Sequence, residues 1–186
     1  MKILITGGCG FIGSHLVPYL LEKEFAVKIV DNFSNGEPDN LGKNLHHKNL
    51  ELIETDIVNE NIDWDLIFSD VDRVVHLAGP ISVAESITNP DKYFNNIVTG
   101  TYNILKYSRL NSVKKLVYAM TAACYGDANF FPTSEEHKKC PDSSYALMKL
   151  LAEEMLINWG KIYNLNTISL RLFNLYGERS GALFGL

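Results

Sequence analysis

The chain has 186 residues, 46% of them hydrophobic and 21% charged, with a formal net charge of −5 at pH 7. This length and apolar share fit one globular domain, 1–186, with a real core, and the negative balance speaks against a nucleic-acid groove or a membrane-surface patch. No apolar run approaches the ~20 residues of a membrane span and the first residues read as a strand, not a signal peptide, so a cytoplasmic chain without a membrane partner is expected. Cys9, Cys124 and Cys140 show no C-x-x-C spacing and read as reduced thiols. His137 and Cys140 lack a second ligand pair, so no metal is expected.

In chain order, Lys2–Thr6 reads as a strand, followed by a glycine turn and a helix from about Phe11 to Glu24. Val27–Val30, Leu50–Glu54 and Arg73–Leu77 read as further strands. Asp91–Leu110 has helical spacing at Tyr93, Ile97, Thr101, Ile104 and Leu105. Lys114–Ala119 is the fifth expected strand, Ser143–Trp159 a helix capped by Asp142 or Ser143 with Gly160 near its end, and Thr167–Leu170 the sixth strand. This alternation predicts the α/β class: a Rossmann-type, doubly wound parallel sheet with its ligand at the carboxyl ends of the strands.

The turn Gly7-Gly8-Cys9-Gly10-Phe11-Ile12-Gly13 directly follows the first strand and opens the first helix. In that context the glycine spacing suits a dinucleotide: Gly7 for the tight turn, Gly10 for close approach to a phosphate, Gly13 for packing of helix on sheet. The amides and positive end of the new helix would face the anion. Asp31 follows Gly13 by 18 positions at the end of the second strand, close to the ~20 expected of the acidic residue that binds the adenine ribose. A carboxylate there accepts from the 2′ and 3′ hydroxyls and repels a 2′-phosphate, so NAD is expected over NADP. The plainer reading is that Asp31 caps the Asp31-Asn32-Phe33-Ser34 turn.

Tyr145 and Lys149 form a Y-x-x-x-K pair on one helix face. At ~4–5 Å and an effective dielectric of ~20, the ammonium would move the phenol from about 10 towards 7, where it exchanges a proton with a sugar hydroxyl. The same spacing recurs at Tyr19/Lys23 and Tyr102/Lys106. Position separates them: only Tyr145 begins a helix at the ligand edge, beside Thr121 at the tip of the fifth strand.

These pieces together resemble the extended short-chain dehydrogenases/reductases of the nucleotide-sugar epimerase and dehydratase group. The matching segments run in family order: Thr6 to Leu16, Asp31 to Ser34, Asp56-Ile57, His76 to Gly79, Asn96 to Thr101, Thr121 to Gly126, Tyr145 to Lys149 and Arg171 to Gly177. The resemblance implies that Asp56 and Ile57 contact adenine and that Leu77, Ala78 and Gly79 line the cofactor. It adds Phe11, Ile12, Asn32 and Asn96 to the cofactor residues. Thr121, Tyr145 and Lys149 would be the catalytic triad, with Tyr145 and Lys149 also reaching NAD. Thr121, Tyr145 and Asn174 would touch the nucleotide-diphosphate sugar.

Dehydratases of this group place acidic residues directly after the catalytic Ser/Thr. Here those positions are Ala122 and Ala123, and the segment Ser82-Val83-Ala84-Glu85-Ser86 resembles the UDP-galactose 4-epimerases. The expectation is therefore 4-epimerisation of a UDP-sugar through a transient 4-keto intermediate, with a 4,6-dehydratase or a catalytically silent NAD-binding module as the alternatives. Glu178 stands where the family commonly has Pro, and Gly79-Pro80-Ile81 lacks the Lys that epimerases often carry there. Family members continue into a substrate-binding region that is expected to be largely missing from these residues, so the chain is expected to bind NAD but to epimerise poorly or not at all. The resemblance further implies a homodimer through the Asp91–Leu110 and Ser143–Trp159 helices; Leu147, Leu150, Leu151, Met155 and Leu156 give the second helix more apolar positions than one stripe needs.

Overall fold

In the computed structural model the described residues are 1–128 and 130–180. The apolar end at 181–186, expected to cover core or to be disordered, lies outside them. Six strands form one parallel sheet in the order β3-β2-β1-β4-β5-β6: β1 Lys2–Thr6, β2 Ala26–Asp31, β3 Leu50–Glu54, β4 Arg73–His76, β5 Lys115–Thr121 and β6 Asn166–Leu172. The expected doubly wound sheet is present. The order reverses between β1 and β4, and that switch point opens a crevice at the carboxyl edge.

Alternating side chains of the strands feed two cores, one on each face. Leu4, Val30, Val74 and Leu116 pack under the later helices, while Ile3, Ile5, Val27 and Ile29 pack against the first helix. Burial on both faces explains why these strands read as apolar runs instead of alternating ones. The register sets Thr6 opposite Val30 on one side and His76 on the other, so three strand ends reach the crevice at one level.

Helix α1 spans Phe11–Glu22, two residues shorter than expected, because Glu24 turns the chain back with φ 60. Two short helices were not expected: α2, Trp64–Phe68, capped by Asp63, and α3, Val83–Thr88, capped by Ser82. The single helix expected over 91–110 is α4, Pro90–Tyr93, then a π-turn at Phe94–Thr99, then α5, Gly100–Leu110. Helix α6 spans Ser144–Tyr163, with the Ser143 side chain accepting from the Ala146 amide. It runs through Gly160 and ends at Asn164 in the left-handed conformation. A Cβ at Gly160 would lie 2.8 Å from Thr167 Oγ1, so that glycine serves close packing of α6 on β6. No helix among the described residues is long and apolar enough to cross a membrane.

Candidate active site

Gly7 leaves β1 with φ +71, its amide donating to the Val30 carbonyl at 2.8 Å. A Cβ there would sit 2.8 Å from the Ala78 backbone nitrogen, and one at Gly13 would collide with the Gly8 backbone. A Cβ at Gly10 would meet only the Gly7 carbonyl, at 3.4 Å, so this turn leaves open space in front of α1. Two of these glycines serve close backbone contact, Gly13 against Gly8 and not against the sheet, and Gly10 faces the crevice.

Asp31 is 7% exposed and does two things. Its Oδ2 accepts from the Cys9 amide and its Oδ1 from the Phe33 amide, both at 2.9 Å. It thus caps its own turn and ties the glycine turn to β2, while keeping lone pairs towards the crevice. Asn32 Nδ2 donates to Asp56 Oδ2 at 2.7 Å, joining the ends of β2 and β3. Thr6 Oγ1 accepts from the Ala78 amide at 3.2 Å and lies 2.6 Å from His76 Nδ1. Burial drives the His76 pKa down to about 3, so this imidazole is a neutral strut between β1, β4 and Thr101.

At the other end of the crevice, Thr121 closes β5, its Oγ1 accepting from the Ala123 amide at 3.1 Å and starting a 3₁₀ turn at Ala122–Tyr125. Tyr145 sits in the first turn of α6, its amide donating to Ser86 Oγ at 3.1 Å and its ring edge-on to Tyr93. Lys149 is 6% exposed; its Nζ donates to the Ala119 carbonyl at 2.9 Å and lies 4.7 Å from the Tyr118 ring centre.

The expected electrostatics are corrected here. Burial pushes the Tyr145 phenol above its ordinary value, with a hydrogen bond to Thr121 working the other way. Burial also lowers Lys149 to about 8. The pair shares a helix face, but the ammonium is spent on the Ala119 carbonyl, and desolvation outweighs any pull on the phenol. The decoys separate cleanly: Tyr19 and Tyr102 are exposed, one under Lys23 and the other edge-on to Trp159, and neither lines the crevice.

The crevice is a cavity of about 1070 Å³. Every residue expected to bind cofactor or substrate or to act in catalysis lines it: Gly7, Gly10, Phe11, Ile12, Gly13, Asp31, Asn32, Asp56, Ile57, Leu77, Ala78, Gly79, Asn96, Thr121, Tyr145, Lys149 and Asn174. Single-ligand pockets run about 300–1000 Å³, so this one has room for an extended ligand or two adjoining ones. The glycine cradle, the Asp31 carboxylate and that volume fit a dinucleotide.

Sequence reading missed several lining residues. Asn40 holds the glycine turn by donating to the Cys9 carbonyl at 2.9 Å, and Gly36 packs so closely on Cys9 that a Cβ would lie 2.5 Å from its carbonyl carbon. Lys92 and Arg179 also line the cavity. Behind the site, Glu153 is 1% exposed and binds Arg171 Nε at 2.9 Å, Ser169 Oγ at 2.8 Å and Lys139 Nζ at 2.9 Å. Burial alone would raise its pKa, but the hydrogen bonds from Arg171, Lys139 and Ser169 outweigh that and hold it below the ordinary value. This cluster locks α6 to β6 and to the loop that precedes α6.

A family model described as GDP-mannose 4,6 dehydratase matches residues 4–185. The UDP-glucose 4-epimerase of Halalkalibacterium halodurans is 36% identical over 187 residues, covering 100% of this chain and 54% of that protein. The UDP-N-acetylglucosamine 4-epimerase of Methanobrevibacter ruminantium, solved with UDP-N-acetylmuramic acid, superposes with a TM-score of 0.91 at 35% identity over 96% of this chain and 56% of that one. The Thermus thermophilus UDP-glucose 4-epimerase, solved with NAD, superposes with a TM-score of 0.87 at 34% identity over 96% of this chain and 57% of that one. The chain thus spans about half the length of the relatives it matches. It belongs to the NAD-dependent nucleotide-sugar epimerase and dehydratase family of extended short-chain dehydrogenases/reductases.

Proposed function

We propose that this chain supplies the NAD site and the proton-transfer residues of a nucleotide-sugar epimerase, with 4-epimerisation of a UDP-sugar as the reaction. The observation that carries the reading is the convergence of Thr121, Tyr145 and Lys149 on the same cavity as the glycine cradle, with Ala122 and Ala123 beside them. Among the described lining residues the only carboxylates are Asp31 and Asp56, both on the β2–β3 side. Elimination of water needs an acid near the sugar, and the Thr121 side offers none, which favours epimerisation over dehydration.

NAD, when bound, supplies a hydride acceptor for the sugar C4, and its positive ring favours a phenolate nearby. Gly7, Gly10, Phe11, Ile12 and Gly13 would hold its diphosphate side, Asp31, Asn32, Asp56 and Ile57 its adenosine side, and Leu77, Ala78, Gly79 and Asn96 its remaining wall. Tyr145 takes the proton of the sugar 4-hydroxyl and returns it to the epimer. Thr121 bridges that oxygen and the phenol. Lys149, held on the Ala119 carbonyl, keeps a positive charge behind them, and Asn174 faces the nucleotide-sugar. The 4-keto sugar then presents its other face before reduction.

The assembly proposed is a homodimer through α4–α6. Leu147 and Leu151 are 47% and 43% exposed on α6, and Phe94 49% on the π-turn, whereas Leu156 is buried in the core and Leu150 and Met155 pack against it. The test of the reading is calorimetric NAD binding by the chain, followed by incubation with UDP-galactose and UDP-glucose. Tight NAD binding with slow interconversion of the two sugars supports it; a 4-keto-6-deoxy product points to the dehydratase alternative, and NAD binding with no interconversion to a silent module.

A further inference from the structure

Arg179 is a cavity residue to which the proposed function gives no role. Three cations line the cavity among the described residues: Lys92, Lys149 and Arg179. Lys149 is buried on the Ala119 carbonyl, and Lys92 is held by Glu85 at 2.6 Å. Arg179 is exposed and has no carboxylate partner among the described residues.

Its guanidinium is nevertheless held in place. Arg179 Nη2 donates to His15 Nδ1 at 2.8 Å, and His15 Nε2 donates to the Glu178 carbonyl at 2.8 Å. A carbonyl only accepts and a guanidinium only donates, so His15 meets Glu178 as a donor at Nε2 and Arg179 as an acceptor at Nδ1. The backbone of Arg179 is left-handed, φ 65, a conformation that long side chains seldom adopt. His15 lies on α1, edge-on to Phe11 at 5.5 Å, and a Cβ at Gly177 would touch the same Phe11 ring at 3.7 Å. The segment that follows β6 thus lies along the start of α1 and brings a positive charge with no carboxylate partner among the described residues beside the glycine turn. The contact also gives a use to the Glu178 position: its backbone carbonyl anchors His15.

We propose that Arg179, aimed by His15, grips the diphosphate of a nucleotide ligand in this cavity. A guanidinium fork matches phosphate oxygens and stays charged at any working pH. The inference rests on the nucleotide reading above. NAD and a nucleoside-diphosphate sugar both carry a diphosphate, and the test separates them.

The experiment is calorimetric titration of NAD and, separately, UDP into the wild-type chain and the variants Arg179→Ala, Arg179→Lys and His15→Ala, with melting of each unliganded protein as the folding control. Arg179→Ala is expected to weaken at least one ligand by about tenfold or more, the loss expected for a charge-assisted hydrogen bond. Weakening confined to NAD assigns the grip to the dinucleotide, and weakening confined to UDP assigns it to the sugar nucleotide. Arg179→Lys is expected to recover part of the loss, and the wild-type advantage to shrink at about 0.5 M salt. His15 is a positioning residue: His15→Ala is expected to weaken the same ligand, and to add nothing in the Arg179→Ala background. If Arg179→Ala melts early, Arg179→Lys and His15→Ala carry the test. Wild-type binding of both ligands with less than a twofold change in every variant overturns the proposal. A wild-type chain that binds neither ligand overturns the nucleotide reading beneath it.

Discussion

Replacing Asp31 with Ala removes more than the proposed ribose contact. Both carboxylate oxygens accept backbone amides at 2.9 Å, from Cys9 in the glycine turn and from Phe33 in the following turn. The Cys9 side is fully buried, so its amide loses its acceptor with no water to replace it. Leaving a buried donor unsatisfied costs about 1–3 kcal/mol. The Phe33 amide is part-buried and regains a partner from water, so the loss is that of the one buried donor, and at about 2–4 °C per kcal/mol for a chain of this size the unliganded protein melts about 2–12 °C lower. Asp31→Asn keeps one acceptor and turns an amide group towards the other donor, so its melting point falls between the two. NAD affinity, read well below both melting points, drops about ten- to hundredfold in Asp31→Ala from loss of a charge-assisted bond. The assay is differential scanning calorimetry of the unliganded proteins, paired with titration of NAD and NADP. An unchanged melting point would refute the reasoning about the turn, and equal wild-type affinity for NAD and NADP would refute the ribose assignment.

Tyr145→Phe is expected to abolish sugar turnover while NAD binding stays nearly intact; Tyr19→Phe and Tyr102→Phe serve as controls, and an equal loss at either would show that the wrong tyrosine was chosen. Lys149 is buried with its pKa lowered to about 8 from 10.5. In the window between those values the unfolded chain binds the proton that the folded one has released, so this residue's contribution to stability rises with pH there. Lys149→Met should therefore raise the melting point at pH 7 while weakening NAD and stopping turnover, and a lower melting point would contradict the burial argument. Glu153→Gln strands the Arg171 guanidinium against a neutral group, while Lys139 keeps Glu154 at 2.7 Å, and should cost about 3 kcal/mol, the lower end for a broken buried ion pair, read by urea unfolding. Because the Glu153 pKa is held down, its contribution is full above the unfolded value near 4.5 and is lost as pH falls through the folded one; a variant as stable as wild type at pH 7 would remove the cluster from the account. Leu147→Glu with Leu151→Glu should convert a dimer to monomer in light scattering, and a wild-type monomer at tens of micromolar would end the dimer proposal.

The features that sequence conveys here are local. The glycine turn, Asp31 and the β-α alternation are written within short windows, and they fixed the sheet and its crevice. The position of Tyr145 after β5 distinguished it from two decoys of identical spacing, because topology decides which helix start meets the ligand edge. What failed was whatever depended on distant partners. The spacing of Tyr93, Ile97, Thr101 and Ile104 reads as one helix, and nothing in it marks the π-turn at Phe94–Thr99. Glu153 carries no local mark of its role, since its partners lie on β6 and in the loop before α6. Sharing a helix face predicts coupling of Tyr145 and Lys149, but the lysine reaches across to the Ala119 carbonyl on β5, which helical spacing does not encode. The two short helices α2 and α3 lack the length for a periodic signal, although Asp63 and Ser82 are ordinary capping residues.

The central claim is that this cavity passes a sugar C4 hydrogen to NAD and back while Tyr145 handles the proton. Incubating the NAD-loaded chain, at concentrations matching the substrate, with UDP-glucose deuterated at C4 tests it directly. The account predicts UDP-galactose that retains deuterium at C4, formed slowly by the wild-type chain and not at all by Tyr145→Phe. Deuterium lost to water, or no transfer while NAD is demonstrably bound, would contradict it.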